Sequence, residues 1–295
     1  MSENDRAAHD VLNEISLLHT RNATRVSIRI VQLTDLHLFT ASEATLRGIP
    51  TWTSLVDVLQ YIRNGIEAGE QHYDCLVITG DVAHDELATT YALLRDLLIK
   101  MLGKLGERCL VIPGNHDNRD GMRQIFGQSG LTDNRSVCFS RELGDWRLIG
   151  LDSHSPGDVS GKIDSAQIDW LEAQLTKHAN QPTIVFLHHP PFLVQCSWLD
   201  SIGLREPEQL MDVIHSFPQI RVVSAGHVHQ DYAVRNGGVE FVTTPSTAAQ
   251  FQPASDVLTF ENMPPGYRVF ELLGDRCTSE VKRLPVLRFP PDSLI

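Results

Sequence analysis

The feature of this sequence that most constrains its fold is a series of five apolar runs, each soon followed by side chains that bind metals or contact phosphate. The runs have the length and composition of buried β-strands. Because parallel strands end at one edge of a sheet, these side chains are expected to gather there. The runs are 28–33, 75–79, 109–113, 183–187 and 220–225, followed by Asp35-Leu36-His37, Gly80-Asp81, Gly114-Asn115-His116-Asp117, His188 and Gly226-His227-Val228-His229.

Amphipathic helices separate the first three of these runs. The segments 52–67 and 86–102 repeat apolar residues at helical spacing, and Thr51 or Thr53 is expected to cap the first helix. A loop is expected over 118–130. Short apolar strands that alternate with such helices predict βαβ units whose strands are buried on both faces.

The rest of the chain predicts more β-structure. Strands at 137–143 and 146–152 are expected to pair as a hairpin, and a helix is expected to start near Asp164, where Gln167 completes an N-cap pattern. The predicted fold class is α/β, an α+β sandwich of two mixed β-sheets packed face to face with flanking helices. Four later runs are expected to complete a second, largely antiparallel sheet: 232–235, 239–244, 267–273 and 278–283.

One domain is the favoured organisation. Residues 26–295 are expected to form it, including the C-terminal antiparallel strands, and 1–25 to form an N-terminal extension whose polar composition is compatible with poor order. The first residues lack the pattern of a signal peptide, and no apolar run approaches the ~18 residues of a membrane span. The five cysteines have no CxxC spacing, which favours reduced packing residues. A cytoplasmic location without membrane contact is expected.

The charge balance limits the partners. The chain has 37 acidic against 25 basic residues, a formal net charge of -12. Binding of a nucleic-acid duplex through a broad basic surface is therefore not expected. A small anionic substrate would need local positive charge, which bound metal ions could supply. The oligomeric state is left open between monomer and homodimer.

Each motif taken alone has a second interpretation. Asp35 and His37 leave a strand end two residues apart, as do His227 and His229, and extended backbone would place each pair on one side. Asp81 could instead cap the next helix. The Gly-Asn-His-Asp segment could be a turn with Asx hydrogen bonds.

The two histidines after the fourth run, His188 and His189, are expected to have different roles. Because neighbours in a strand face opposite ways, only one of His188 and His189 is expected to bind metal. We favour His188 as the ligand and His189 as a supporting or substrate-side residue. Asn115 offers a neutral carbonyl oxygen, while His116 is expected to point toward a leaving group.

Together, over residues 28 to 250, these segments resemble in order the signature of the calcineurin-like metallophosphoesterases. The resemblance implies a double β-sandwich with two metal ions, Fe or Mn favoured over Zn, Co or Mg. His116 would be catalytic, and His37, Asn115, His116 and His229 would contact substrate. The implied ligands are Asp35, His37, Asp81 and His229 for one ion, and Asp81, Asn115, His188 and His227 for the other, with Asp81 bridging.

A finer resemblance is to the bacterial class III cyclic-nucleotide phosphodiesterases. It rests on the segments 79–85, 151–153, 188–191, 245–247 with 250–251, and 265–268. It implies hydrolysis of 3',5'-cyclic nucleotides, with cyclic AMP favoured, to 5'-monophosphates by attack of a metal-bridging hydroxide. The alternatives are a metallophosphoesterase for a 2',3'-cyclic nucleotide, a glycerophosphodiester, a nucleotide pyrophosphate or a monoester, and a non-catalytic scaffold. The complete ligand set weighs against the scaffold, because buried carboxylates and imidazoles without ions are costly.

The sequence departs from the family at one position. Many members have an Asp three residues after the bridging Asp to orient the catalytic His, but this chain has His84 there, followed by Asp85. Asp85 or a backbone group is expected to orient His116 instead. His154 is either a substrate contact or a surface residue. Base preference is expected to depend on the loops 47–52, 154–161 and 192–204.

Overall fold

Two β-sheets form the centre of the computed structural model, which describes residues 27–127 and 136–292. The extension expected at 1–25 lies outside the described residues. The strands are β1 Ile28–Leu33, β2 Thr45–Leu46, β3 Ile49–Pro50, β4 Cys75–Thr79, β5 Leu110–Ile112, β6 Phe139–Leu143, β7 Trp146–Gly150, β8 Thr183–Phe186, β9 Ile220–Ala225, β10 Tyr232–Asn236, β11 Val239–Thr243, β12 Gln250–Phe251, β13 Phe260–Glu261, β14 Gly266–Leu273 and β15 Arg276–Arg283.

Helices cover the outer faces of both sheets. None of those in the described ranges is long and apolar enough to cross a membrane. The helices are α1 Thr51–Glu67, α2 Ala88–Leu102, α3 Lys104–Glu107, α4 Arg119–Phe126, α5 Ser165–Lys177, α6 Ser197–Asp200 and α7 Glu208–Ser216.

The strand order places sequence-distant strands side by side. The first sheet has the order β15-β14-β1-β4-β5, and the second has the order β10-β11-β9-β8-β7-β6. Strands β1, β4 and β5 are parallel to one another, as are β11, β9, β8 and β7. Antiparallel strands complete both sheets, at the β14 side of the first and at both edges of the second. The prediction of two mixed sheets is confirmed.

The side-chain alternation of the strands builds a layered core. On β1, Ile30 faces the second sheet, in one cluster with Phe186 and Val222, while Val31 packs with helix residues such as Leu59. A separate cluster seats α5 and α7 on the second sheet. This period-two alternation gives four layers, helices–sheet–sheet–helices, as predicted.

Three expectations were wrong. The second sheet is mostly parallel, and β14 and β15 belong to the first sheet, where β14 pairs with β1 over Ile28↔Leu272 to Gln32↔Arg268. Neighbouring positions in sequence could not reveal this pairing, because β14 returns from more than two hundred residues away.

Helix boundaries account for the other two errors. Neither expected threonine caps α1, since Pro50 occupies its N-cap without a side-chain bond and Thr51 is buried inside it. The segment 118–130, expected to be a loop, contains α4, which starts where the Asn118 side chain accepts a hydrogen bond from the Gly121 nitrogen. Residues 128–130 of this segment lie outside the described ranges. The expected start of α5 is correct, because the Asp164 carboxylate accepts from the Gln167 nitrogen.

Candidate metal centre

The expected ligand residues lie together where strands of both sheets end. Loops after β1, β4 and β5 bring residues from the first sheet, and loops after β8 and β9 bring residues from the second. Within the first group the loops continue to pair beyond the strands, with the His37 nitrogen donating to the Asp81 carbonyl at 2.8 Å and the Leu38 nitrogen to Val82. Two sheets therefore supply the two sides of one site.

The backbone at these loops is left-handed and not extended. Five non-glycine residues of the site have positive φ angles: Asp35 (54°), His37 (47°), Asp81 (50°), His227 (69°) and His229 (50°). The period-two reason given for the Asp-x-His and His-x-His pairs is thus wrong. Such conformations cost about 1–3 kcal/mol each and persist only where surrounding contacts impose them, which is typical of functional sites.

The ligand atoms form two overlapping groups. Asp35 Oδ1 lies 3.3 Å from His229 Nε2, and His37 Nε2 lies 3.3 Å from the same nitrogen. His188 Nε2 lies 3.5 Å from Asp81 Oδ1 and 3.9 Å from Asp35 Oδ1. Asp81 Oδ2 joins the groups, 3.6 Å from His37 Nε2. Carboxylates therefore lie between two sets of imidazoles.

Among the described residues that are expected to bind metal, two buried polar atoms have no hydrogen-bond partner. They are His188 Nε2 and Asn115 Oδ1. A buried polar atom without a partner calls for an explanation, and coordination of a metal ion supplies one. Both atoms offer lone pairs, and the set of carboxylate, amide and imidazole ligands suits octahedral or five-coordinate transition metals. The residues present fit a metal centre.

Backbone carbonyls fix the orientation of three imidazoles. His188 Nδ1 donates to the Thr79 carbonyl at 2.7 Å, and His229 Nδ1 donates to the Ala249 carbonyl at 2.7 Å. His227 uses its Nε2 in the same way. Each bond leaves the opposite ring nitrogen with a lone pair, which is the arrangement found around metal-binding histidines.

Neighbouring groups also hold the two carboxylates. Thr34 Oγ1 donates to Asp35 Oδ2 at 2.8 Å, and the His227 nitrogen donates to the same oxygen at 3.0 Å. The His116 nitrogen donates to Asp81 Oδ1 at 2.9 Å. Asp81 takes no part in capping a helix, so that alternative is excluded.

The protonation states of the cluster suit cation binding. Burial lowers the pKa of His37 and of His227 to about 3, so both rings are neutral at pH 7. Burial also opposes ionisation of Asp81, but His188 beside it holds the pKa of Asp81 well below its usual value. At His188 burial opposes protonation, yet Asp81 and Asp35 raise its pKa to about 9. The electrostatic field at this point thus favours positive charge.

Glycine allows the loops to approach this closely. Gly80 has φ +96°, and a Cβ there would lie 2.4 Å from His188 Nδ1 and 2.6 Å from the Gly114 nitrogen. The neighbouring side chain of His188 therefore requires a residue without a side chain at Gly80.

The supporting candidates have different surroundings. Both ring nitrogens of His189 are occupied, Nδ1 accepting from Ser153 Oγ at 2.8 Å and Nε2 donating to the Val159 carbonyl, so His189 has no lone pair left for a metal. Asp85 accepts hydrogen bonds from Thr40 and Thr90 and does not orient His116. The expectation for Asp85 was wrong, because this carboxylate is occupied at the start of α2.

His84 and His154 both lie beside His116, on different sides of the site. The rings of His84 and His116 stack with centroids 4.6 Å apart. His154 is half-buried and lines, with His116 and Arg119, a cavity of about 630 Å³. Arg119 is held there by two bonds to the buried carboxylate of Asp152 and one to the His154 carbonyl.

Asp117 is a site residue that the sequence analysis missed. Its buried carboxylate accepts from the nitrogens of Val82, Ala83 and Gly114 and from the Tyr91 hydroxyl. Burial raises the pKa of Asp117 to about 6. It ties the loop after β4 to the loop after β5. The signal was its position directly after His116.

A second cavity opens directly over the ligand cluster. It has a volume of about 230 Å³ and is bordered by His37, Asn115, His116 and His229. The loops 47–52, 154–161 and 192–204, which were expected to determine base preference, all contribute lining residues. The contribution of the β12–β13 hairpin was not predicted, since nothing local in its sequence indicates contact with the site. The other lining residues include Arg47, Val159, Trp198, Phe251, Leu258 and Phe260.

Comparison with known proteins places this geometry in a family. Residues 28–231 match the model of the calcineurin-like phosphoesterases. The chain belongs to the calcineurin-like phosphoesterase family. It is 33% identical over 279 residues to the 3',5'-cyclic adenosine monophosphate phosphodiesterase CpdA of Escherichia coli (strain K12), covering 94% of this chain and 98% of that protein. It is 32% identical over 262 residues to a 3',5'-cyclic-nucleotide phosphodiesterase of Nostoc sp., covering 88% and 94%.

Solved structures support the same fold. A dimetal phosphatase from Danio rerio superposes with a TM-score of 0.62 at 14% identity, covering 87% of this chain and 96% of that chain. Both resemblances stated from the sequence are thus confirmed. Membership of the calcineurin-like phosphoesterase family makes this chain a metal-dependent phosphoesterase and implies a dinuclear centre of divalent ions, for which the clustered His and Asp residues fit.

Proposed function

We propose that this chain hydrolyses 3',5'-cyclic nucleotides, with cyclic AMP favoured, to 5'-nucleoside monophosphates. The observation that carries the proposal is the ligand cluster with its two unpartnered buried atoms, beside His116, in a chain that resembles cyclic-nucleotide phosphodiesterases over nearly its whole length. It acts as a metal-dependent phosphoric diester hydrolase.

The proposed ligand sets agree in part with the groups of atoms in the cluster, since Asp35, His37 and His229 lie together, as do Asp81 and His188. We assign Asp35, His37, Asp81 and His229 to one ion, and Asp81, Asn115, His188 and His227 to the other. Fe and Mn are favoured because nitrogen and oxygen ligands in this number suit them, and Zn, Co or Mg are the alternatives. When bound, such a pair lowers the pKa of coordinated water and stabilises charge on phosphoryl oxygens.

His116 has the protein's own catalytic role in this proposal. Opening of the 3',5' ring breaks the bond between phosphorus and O3', while water provides the oxygen that joins phosphorus. The departing O3' needs a proton, and His116 lies at the wall of the cavity where it can donate one. His37, Asn115 and His229 border the same space and would contact the phosphate group.

The cavity over the cluster suits a nucleoside phosphate. Arg47 is the one arginine or lysine among its described lining residues, and it gives the anionic phosphate or ribose a cationic partner. Aromatic rings form another wall, with Phe251 stacked on His229 at 4.2 Å and Trp198 and Phe260 around it. Stacking on such rings contributes roughly 1–3 kcal/mol per base.

A panel of substrates tests the proposal. Purified protein with Mn²⁺ is assayed on 3',5'-cyclic AMP, 2',3'-cyclic AMP and 4-nitrophenyl phosphate. The proposal expects the highest kcat/KM with 3',5'-cyclic AMP and 5'-AMP as the sole product. Faster turnover of the 2',3'-isomer or of the monoester, or formation of 3'-AMP, would contradict it. Replacing Mn²⁺ by Fe²⁺, Zn²⁺, Co²⁺ or Mg²⁺ ranks the metals.

A second candidate is hydrolysis of another phosphodiester or phosphomonoester, such as a glycerophosphodiester or a nucleotide pyrophosphate. The 630 Å³ cavity on the other side of His116 favours it. The leaving oxygen of a cyclic nucleotide stays attached to the product and needs no separate space, whereas the leaving group of a linear diester would occupy such a cavity. Bis(4-nitrophenyl) phosphate and glycerophosphocholine, added to the panel, distinguish the two candidates.

We further propose a cytoplasmic location. Cys75, Cys138, Cys196 and Cys277 are free thiols, and the first three are buried, as is typical of proteins from reducing compartments. Residues 26–295 would act as one catalytic domain, as a monomer or a homodimer, and light scattering of the purified protein decides between these two states.

A further inference from the structure

The side chain of His84 makes two contacts inside the site. Its Nδ1 lies 3.1 Å from His37 Nδ1. Its ring stacks on His116, with centroids 4.6 Å apart and an angle of 24° between the planes. One half-buried residue therefore touches both a proposed metal ligand and the proposed proton donor.

The contact with His37 has a defined direction if His37 binds metal. His37 Nε2 faces the cluster, 3.3 Å from His229 Nε2 and 3.6 Å from Asp81 Oδ2. An imidazole that coordinates through Nε2 carries its proton on Nδ1. His37 Nδ1 then donates to His84 Nδ1, so His84 is the acceptor that fixes the orientation of the His37 ring. At His188 and His229 a backbone carbonyl has this role.

Ring contacts, and not hydrogen bonds, hold the side chain of His116. Among the described residues, the His116 ring has no hydrogen-bond partner; only its backbone nitrogen is bound, to Asp81. Its ring is held between the His37 ring, at 5.2 Å and 71°, and the face of His84. Phe39 packs on His84 at 4.9 Å and restricts its movement. Ring packing thus orients His116.

We propose that His84 is a positioning residue with two separable functions: its Nδ1 holds the metal-binding orientation of His37, and its ring face holds His116 in line with the leaving group. The inference rests on the proposed function, since it takes His37 as a ligand and His116 as a proton donor. The two functions use different parts of the side chain, so two substitutions can separate them.

The variants are His84→Asn and His84→Phe. Asparagine places Oδ1 the same number of bonds from Cα as histidine places Nδ1, so it keeps an acceptor for His37 and removes the ring. Phenylalanine keeps the ring and removes the acceptor. His72, an exposed histidine that contacts the Ser27 carbonyl, receives the same two substitutions as a control.

Two readouts are measured on each protein, the first after removal of metals with a chelator and the second after saturation with Mn²⁺. The first is Mn²⁺ affinity by isothermal titration calorimetry, which requires no substrate. The second is the ratio of kcat values for bis(4-nitrophenyl) phosphate, which has a good leaving group, and for diphenyl phosphate and 3',5'-cyclic AMP, which have poor ones.

The proposal expects opposite patterns. His84→Phe should weaken one Mn²⁺ site about tenfold or more, as loss of a partner of a ligand does, and keep the wild-type ratio of kcat values. His84→Asn should keep Mn²⁺ affinity within about twofold but slow the poor leaving groups about tenfold more than the good one. Both His72 variants should match the wild type.

Two results would overturn the proposal. One is wild-type Mn²⁺ affinity in His84→Phe, and the other is an equal loss of both readouts in both variants, which is what a merely structural residue would produce. A wild-type protein that hydrolyses the aryl diesters but not cyclic AMP would refute the proposed substrate alone, since diphenyl phosphate still supplies the poor leaving group.

Discussion

Replacing Gly114 by alanine is expected to disrupt the metal centre without changing any ligand. A Cβ at this position would lie 2.2 Å from Asp81 Oδ1, 2.5 Å from the Asp81 nitrogen and 2.8 Å from His188 Cε1. Ordinary contacts of a Cβ begin at 3.4 Å, so the carboxylate oxygen would have to move by about 1.2 Å. Asp81 has little freedom to do so, because its carbonyl accepts from the His37 nitrogen and its φ is already +50°.

The size of the effect follows from this displacement. Overpacking of a filled interior costs about 1–3 kcal/mol of unfolding free energy. Misplacement of a catalytic constellation by about 1 Å costs roughly 100-fold in rate, and disturbed ligands lose about 10- to 100-fold in metal affinity. Calorimetric titration with Mn²⁺, kcat/KM on cyclic AMP and thermal unfolding with a chelator present measure the three losses separately.

Gly203→Ala is the matched control. Neither glycine has a positive φ, and a Cβ added at Gly203 would make its closest contact at 3.5 Å, with the Pro190 carbonyl. This control should bind Mn²⁺ and, with a chelator present, unfold at the same temperature as the wild type. A Gly114→Ala protein that binds two Mn²⁺ ions with wild-type affinity would refute the reasoning, because it would mean that Asp81 and His188 do not both have to occupy their observed positions.

Four further predictions concern single contacts of the site. Asp81→Ala should abolish activity and reduce bound metal, and unchanged turnover after metal loss would refute the dinuclear mechanism. His116→Ala should keep its metal and slow cyclic AMP more than bis(4-nitrophenyl) phosphate; equal slowing would remove support for proton donation. Thr34→Val removes the hydroxyl that donates to Asp35 and should weaken Mn²⁺ binding about 10- to 100-fold by calorimetry. Phe260→Ala should raise KM for cyclic AMP about tenfold with metal content unchanged, and an unaltered KM would argue against base stacking there.

Much of this protein could be predicted from local sequence. A buried strand followed by a residue of a metal-binding type is a local pattern, and five repetitions of it placed Asp35, Asp81, Asn115, His188 and the two histidines after β9 at strand ends. The expectation that these ends share one sheet was wrong, because β1, β4 and β5 lie in one sheet and β8 and β9 in the other. The start of α5 at Asp164 was equally local, since an N-cap and the nitrogen it binds lie three residues apart.

Other features depend on contacts that the sequence does not encode locally. The antiparallel pairing of β14 with β1 joins segments more than two hundred residues apart, and side-chain alternation alone could not choose between two sheets. The aromatic wall formed with Phe260 depends on how a distant hairpin folds over the site. The same is true of His84, whose neighbours His37 and His116 come from two other loops.

The sequence by itself determined which chemical groups are available and that they follow strand ends, because hydrophobic periodicity and strand ends are set within a few residues. Only the tertiary structure decided which ring nitrogens face the ligand cluster, which carboxylate is occupied elsewhere, as at Asp85, and which aromatic side chains border the cavity over that cluster. These depend on distances of 3 to 5 Å between residues from separate loops, and such distances exist only once both sheets have packed together.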